Sequence, residues 1–240
     1  MKIAAVVPAY NESEAIASVV NELNSLAKTQ PVNLTVIVVN DCSTDATGEI
    51  IDTLDCIALH LPVNLGIGGA VQTGFRYAYE NDFDYAVQVD GDGQHPADEI
   101  PQLVAFAEAN ACDVVIGSRF IDKNGFQSTG MRRAGINYFS RLNRWLTGIT
   151  VSDTTSGFRL LNRKALNFVN ENYPDEYPEP EAIVLYARHG MKIGEVPVKM
   201  RERRGGVSSI NSVRAIYYMW KVTLACLFSR IRKPGTTHHI

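Results

Sequence analysis

Two aspartates separated by one glycine, Asp90 and Asp92 in the run Asp90-Gly91-Asp92-Gly93-Gln94-His95-Pro96, are the strongest chemical feature of the chain. Carboxylates at that spacing in a tight turn can converge on a hard cation, and the side-chain oxygen of Gln94 adds a neutral ligand. Magnesium or manganese held by Asp90, Asp92 and Gln94 would bridge two phosphates and take up charge developing on a departing diphosphate. Gly91 and Gly93 suit a turn through which backbone approaches a ligand. The same letters also satisfy an ordinary Asp-Gly turn, and His95 before a proline suits a structural role as well as a ligating one.

Two further polar turns resemble this one in setting. Pro8-Ala9-Tyr10-Asn11-Glu12 offers an aromatic ring and a carboxylate, and Asn40-Asp41 offers a carboxylate able to accept hydrogen bonds from a base or ribose. The plainer alternatives are that Asn11 caps a helix and Asp41 forms a turn. Leu65-Gly66-Ile67-Gly68-Gly69-Ala70 is a poor dinucleotide fingerprint, because it follows the third strand and lacks both the last glycine and the downstream acid. A glycine-rich turn at a helix start, Gly68 included, can still approach phosphate, though close strand–helix packing explains it equally well.

The elements that must position these turns are legible from periodicity. Ile3–Pro8, Leu34–Asn40, Cys56–Leu61, Asp84–Asp90 and Cys112–Ser118 are short apolar, β-branched runs of the kind expected for strands buried on both faces. Helix-length segments separate them. Asn11 is placed to cap the first, with Glu14 completing a capping box, and Ser43 or Thr44 to cap the second. Ile16, Val19, Val20, Leu23 and Leu26 give the first helix its apolar face. Strand–helix alternation implies right-handed crossovers and a mostly parallel sheet flanked by helices, with ligands beyond the carboxyl ends of the strands. The three polar turns then share one edge. Beyond about residue 120, strands at Gly157–Leu161 and Ile193–Val198 and helices at Arg163–Asn170 and Pro180–His189 form a second, acceptor-side half of the same domain.

At 240 residues, with 45% hydrophobic and 20% charged content, the chain has material for one sizeable core. A net charge of −3 excludes bulk attraction to nucleic acid, so phosphate handling falls to local Lys and Arg clusters. Cys42, Cys56, Cys112 and Cys226 have no zinc-like spacing and read as reduced thiols. With no leader-like run at the N-terminus, the expected location is cytoplasmic.

Together, Pro8–Glu12, Val39-Asn40-Asp41, Asn64-Leu65-Gly66, Asp90–Pro96, Gly117-Ser118-Arg119 and Thr155-Ser156-Gly157-Phe158-Arg159 resemble, in order, the motifs of the family 2 glycosyltransferases. The branch most like it contains dolichyl-phosphate mannosyltransferases and bacterial polyprenyl-phosphate glycosyltransferases, and the likeness runs from residue 1 to about residue 210. The resemblance implies a GT-A fold, a Rossmann-like nucleotide-sugar-binding α/β domain over 1–212, divided into a donor half (1–120) and an acceptor half (121–212). It also implies inversion at the anomeric carbon and a UDP- or GDP-sugar donor bound with Mg2+ or Mn2+. Carried over by position, Pro8, Tyr10, Glu12 and Asp41 hold the nucleotide, with Gly68 beside the donor. Asp90 lies near ribose and diphosphate, and Asp92 and Gln94 are metal ligands. Arg119, Arg132 or Arg133, and one of Arg201, Arg203 and Arg204 face phosphates, with Ser156 on the acceptor side. Gly205–Ser209 fits a closing loop.

The acceptor implied is a polyprenyl phosphate, already an anion that needs no base. A sugar hydroxyl in a growing surface polysaccharide is the alternative, and would need a carboxylate such as Glu181 or Asp153 to take its proton. A non-catalytic nucleotide-sugar-binding subunit of a membrane complex is a second alternative. A sugar-nucleotide pyrophosphorylase fits poorly, since Pro8–Glu12 offers acids where a triphosphate needs a basic, glycine-rich loop. Ala215–Phe228 is too short and too interrupted by Lys221 to span a bilayer. As part of an amphipathic helix over 213–233, followed by a tail at 234–240, it places Arg214, Lys221 and Arg232 opposite Ile216, Trp220, Leu227 and Ile231. In Arg133–Leu146, Arg133, Asn137, Arg141 and Arg144 oppose Phe139, Leu142 and Leu146. Both helices suit peripheral contact with the inner face of the plasma membrane or with a membrane-protein partner, and packing on the core or on a second copy in a homo-oligomer is the plainer alternative for each.

Overall fold

The computed structural model describes residues 1–29, 33–121, 130–174, 178–201 and 212–231, with backbone alone for 130–132 and 212–216. Among these residues, strands β1 (Lys2–Ala9), β2 (Asn33–Asn40), β3 (Ile57–His60), β4 (Tyr85–Gln88), β5 (Val114–Ser118), β6 (Arg159–Asn162) and β7 (Ile193–Pro197) form one sheet. Each lies within two residues of its sequence expectation. Their order is β3-β2-β1-β4-β6-β5-β7, and all neighbours are parallel except β6, which runs antiparallel between β4 and β5.

β1 is buried from Ile3 to Ala9, and its alternation divides the core in two. Ile3, Ala5 and Val7 join Ile16, Val19, Val20 and Leu23 of helix α1 (Ile16–Thr29) on one face. Ala4 and Val6 meet Ala70, Val71 and Phe75 of α3 (Gly66–Glu80) on the other. Each fully buried aliphatic side chain contributes about 1.5–3 kcal/mol, so both faces are needed to fix the central strand. A Cβ on Gly74 would lie 2.2 Å from Val6 Cγ1, so only glycine lets α3 come this close to β1. Helices α2 (Thr47–Ile51), α4 (Ile100–Asn110), α5 (Gly130–Thr147), α6 (Arg163–Glu171), α7 (Pro178–Arg188) and α8 (Ser212–Ile231) complete the layers.

The expected caps are not formed. Asn11 has φ of 56°, and α1 begins only at Ile16, whose N–H donates to Glu12 O. The Asn11 side chain instead accepts from Thr44 N–H across the gap to the next turn. At α2, Asp45 Oδ1 accepts from Thr47 N–H, the task assigned to Ser43 or Thr44. These polar side chains join turns to one another, and that bonding outcompetes local capping.

A third, smaller cluster joins Phe139 and Leu146 of α5, Val184 of α7, and Val222 and Cys226 of α8. The face of α8 that packs is Val222, Cys226 and Ser229. Trp220 (66% exposed) and Ile231 (76%) stay on the surface with Tyr217 and Phe228 as an outward-facing apolar stripe, while Leu227 of the same expected stripe is partly buried against the third cluster. Arg232 lies outside the described residues, as do the side chains of Arg214 and Ile216. On α5 the expectation holds, with Phe139 and Leu146 inside and Arg133, Asn137, Arg141 and Arg144 exposed. No described helix is long and apolar enough to cross a membrane.

Candidate active site

The carboxyl ends of β1, β2 and β4 lie side by side, so the three polar turns do share an edge. Hydrogen bonds between turns tie that edge together. Asn11 N–H donates to Ser43 Oγ at 3.0 Å, Glu12 N–H to Thr47 Oγ1 at 2.9 Å, and Asp41 N–H to Ala9 O at 2.9 Å. Asp41, 3% exposed, accepts from Leu65 N–H at 2.7 Å and Gly66 N–H at 2.9 Å, holding the start of α3 beside β2. Pro8 and Gly68 are buried in the frame, and the Tyr10 ring projects from it at 48% exposure.

The turn after β4 sits at the centre. Gly91 lies against the first turn, where an added Cβ would be 3.0 Å from Pro8 O and 3.6 Å from Glu12 Cγ. Asp92 is 3% exposed and accepts from Gln94 N–H at 3.0 Å, whereas the Asp90 side chain keeps 33% exposure. Gln88 Nε2 donates to Asp90 Oδ1 at 3.1 Å. His95 is buried, with its ring stacked on Phe158. Among the described residues, no three His, Cys, Asp or Glu side chains form a ready-made metal cluster.

Arg119 enters from the end of β5. Its Nε and Nη2 donate to the two oxygens of Asp153, each at 2.7 Å, and Nη2 also reaches Thr155 Oγ1 at 3.1 Å. Asp153 is fully buried. Burial disfavours charge on Arg119, but hydrogen bonding to Asp153 and the fields of Asp153, Asp90 and Glu179 outweigh it and hold the guanidinium above its ordinary pKa. The loop carrying Asp153 is itself fixed by Glu195, whose carboxylate accepts from Ser152 N–H at 2.9 Å and Asp153 N–H at 2.8 Å.

Other expected residues are placed differently. Ser156 Oγ is buried and donates to Gly117 O at 2.7 Å, so its hydroxyl shapes the turn before β6. Glu181 Oε1 accepts from Ser229 Oγ of α8 at 2.6 Å, away from the sheet edge. The acid of α7 that shares the field of Asp90 and Arg119 is Glu179; removal of its carboxyl from solvent raises its pKa, against the opposing pull of Arg159. Glu179 and the expected Glu181 stand two positions apart in the first turn of one helix, where the Pro-Glu-Pro-Glu run does not tell them apart. Arg201 pairs with Glu22 at 2.7 Å. Arg203, Arg204 and Gly205–Ser209 lie outside the described residues, as does the side chain of Arg132. Arg133 lines a cavity of about 250 Å3 with Phe120, Asn137, Ser140 and Ser152, next to the Asp153 loop. A second cavity of about 250 Å3 opens beside Arg119 and Lys199. Lys199 carries no motif that would have drawn attention to it.

Residues 4–169 match the family described as Glycosyl transferase family 2. The chain belongs to that family. It is 31% identical over 214 residues to a UDP-N-acetylglucosamine–dolichyl-phosphate N-acetylglucosaminyltransferase of Methanococcus voltae, covering 81% of this chain and 83% of the relative. It is 28% identical over 220 residues to an undecaprenyl-phosphate mannosyltransferase of Micrococcus luteus, covering 88% of each. Among solved structures, glucosyl-3-phosphoglycerate synthase of Mycobacterium tuberculosis, in complex with Mn2+, UDP and glucosyl-3-phosphoglycerate, superposes with a TM-score of 0.71 at 20% identity. That match covers 98% of this chain and 81% of the synthase, and it bears on the fold alone.

Proposed function

We propose that this family 2 glycosyltransferase moves a hexose from a nucleoside-diphosphate donor to a polyprenyl phosphate, with inversion at the anomeric carbon. The observation that carries the reading is the meeting, at one sheet edge, of the Asp90–Asp92 turn with the Asp153-anchored Arg119. Relatives named for dolichyl and undecaprenyl phosphate support the acceptor class.

The turn fits a divalent cation. Its donors are oxygens alone, from a partly exposed Asp90, a buried Asp92 and a partly buried Gln94. Mg2+ and Mn2+ characteristically take one or two carboxylates and complete their shell with phosphate oxygens and water. Bound there, the ion would supply positive charge to the departing diphosphate. The protein's own residues do the rest. Tyr10, Glu12 and Asp41 frame the nucleotide, and Arg119 faces the phosphates between Asp90 and the Arg133 cavity. An acceptor phosphate oxygen attacks the anomeric carbon from the face opposite the diphosphate. The new carbon–oxygen bond forms as the old one breaks, and the bonding pair leaves with the diphosphate. The acceptor is an anion, so no general base is required, which agrees with Glu181 facing α8 and Asp153 being occupied by Arg119.

The acceptor's lipid would be met at a membrane surface. Trp145 of α5 and Tyr217, Trp220 and Phe228 of α8 are exposed beside Arg141, Arg144 and Arg230, the composition of an interfacial surface. The deciding experiment is sugar transfer from UDP- and GDP-sugars to undecaprenyl phosphate in Mn2+, with free phosphate and an oligosaccharide as competing acceptors. Product on the lipid, lost in chelator, is expected. Turnover only onto the oligosaccharide, or undiminished turnover in chelator, would overturn the reading.

A further inference from the structure

The motif Thr155–Arg159 lies between the two halves of the site, and the proposed reaction leaves most of it unused. Its geometry points to a role. A Cβ on Gly157 would lie 2.7 Å from Gln88 Nε2, 3.2 Å from Asp90 Oδ1 and 3.5 Å from Asp90 Oδ2. Gly157 is not among the positive-φ residues, so alanine meets no backbone penalty there and only the space is at issue. Gln88 is 1% exposed and cannot swing away into solvent.

The next residue supports the other side of the same carboxylate. Phe158 stacks on His95 with ring centroids 4.9 Å apart and planes 21° from parallel. Asp90 N–H donates to His95 Nδ1 at 3.0 Å, so Nδ1 is the accepting nitrogen and the proton sits on Nε2. That Nε2 lies 3.6 Å from Asp90 Oδ2. One imidazole thus accepts from the backbone of Asp90 and faces its carboxylate at a distance too long for a hydrogen bond.

We propose that His95 and Gly157 are a pair of positioning residues for Asp90: the imidazole holds its backbone N–H and flanks the carboxylate that Gln88 hydrogen-bonds, and the missing side chain at 157 keeps the slot open. The inference rests on the reading of Asp90 as facing the cation and diphosphate. Groups that orient a ligating carboxylate typically change metal affinity 10–100-fold when lost.

Mn2+ binding in the presence of UDP or GDP, followed by the EPR signal of free Mn2+, tests it, with melting temperature and the kcat–KM split measured alongside. His95→Phe keeps the stack but has no nitrogen, and Gly157→Ala fills the slot. Both should raise the half-saturating Mn2+ concentration about tenfold or more, and lower kcat more than they raise KM for the lipid acceptor. His95→Asn, which can restore an acceptor for the Asp90 N–H, should recover part of the loss. Unchanged Mn2+ binding by folded His95→Phe and Gly157→Ala would overturn the inference while leaving the proposed function standing. Failure of the wild-type chain to bind Mn2+ with either nucleotide would instead bring down the proposed function and this inference with it. Should Gly157→Ala not fold, His95→Phe against His95→Asn decides.

Discussion

The turn after β4 and the turn before β6 both present an aspartate at the same edge, and they treat its charge in opposite ways. Asp153 is fully buried, and both its oxygens meet a guanidinium at 2.7 Å. Asp90 keeps a third of its side chain exposed and is held by a carboxamide and an imidazole, neither of which cancels its charge by direct bonding. A carboxylate whose charge is cancelled serves as an anchor, whereas one oriented by uncharged groups keeps an attraction for a cation. The two aspartates differ in partner type as well as in burial, and on the proposed reading that difference is what leaves Asp90 available to a ligand.

The largest expected effect breaks the anchor. Asp153→Ala leaves Arg119 buried without its counter-charge and should cost about 3–5 kcal/mol of stability, read by urea denaturation; an unchanged midpoint would deny Asp153 its role. Asp92→Ala should leave the urea midpoint nearly in place but lower kcat by about 10^2–10^3, roughly 2.7–4 kcal/mol of transition-state stabilisation, in a radiolabelled-sugar transfer assay. Retained Mn2+-dependent turnover would remove the contrast between the two turns. Arg119→Lys should fall between, losing the paired hydrogen bonds to Asp153 and about 1.5–3 kcal/mol in the same denaturation measurement.

Glu179→Gln should have the smallest effect, and it carries a sign. Because the folded state raises this carboxyl's pKa, the native chain holds its proton more tightly than the unfolded one. Stability from that proton is complete below the ordinary glutamate value of about 4.3 and is lost as pH rises through the folded value. Glutamine needs no proton, so the variant should melt slightly higher at neutral pH, and the difference should disappear near pH 4. A gap of the same size at both pH values would show that the effect is not electrostatic.

Much of this was legible in the letters. Ile3–Pro8 and Leu34–Asn40 appear as strands because Val and Ile runs bury on both faces, and such runs signal themselves locally. The polar turns at Asp41 and Asp90 were legible for the same reason, each following directly on its strand. Partners distant in sequence were not. Nothing near Arg119 points to Asp153, thirty-four residues on. Asn11 and Thr44 carry the letters of helix caps, yet bond across turns because the sheet brings them together. On α8 the sequence period is genuine, but which stripe faces inward is decided by α5 and α7. Val222, Cys226 and Ser229 therefore face inward, and Leu227 leaves the outward stripe of Trp220 and Ile231 to pack partly against them.

A single reversed strand gives the molecule a shared hinge pin. β6 runs against β4 and β5, so it starts where they finish, and the few residues leading into it reach both Asp90 after β4 and Arg119 after β5. Slipping that strand by one residue would detach Asp153 from Arg119 and Phe158 from His95 in the same stroke. Damage there would disturb the surroundings of Asp90 and Arg119 together, and an insertion at this point should be tolerated less well than one of equal length in any outer loop.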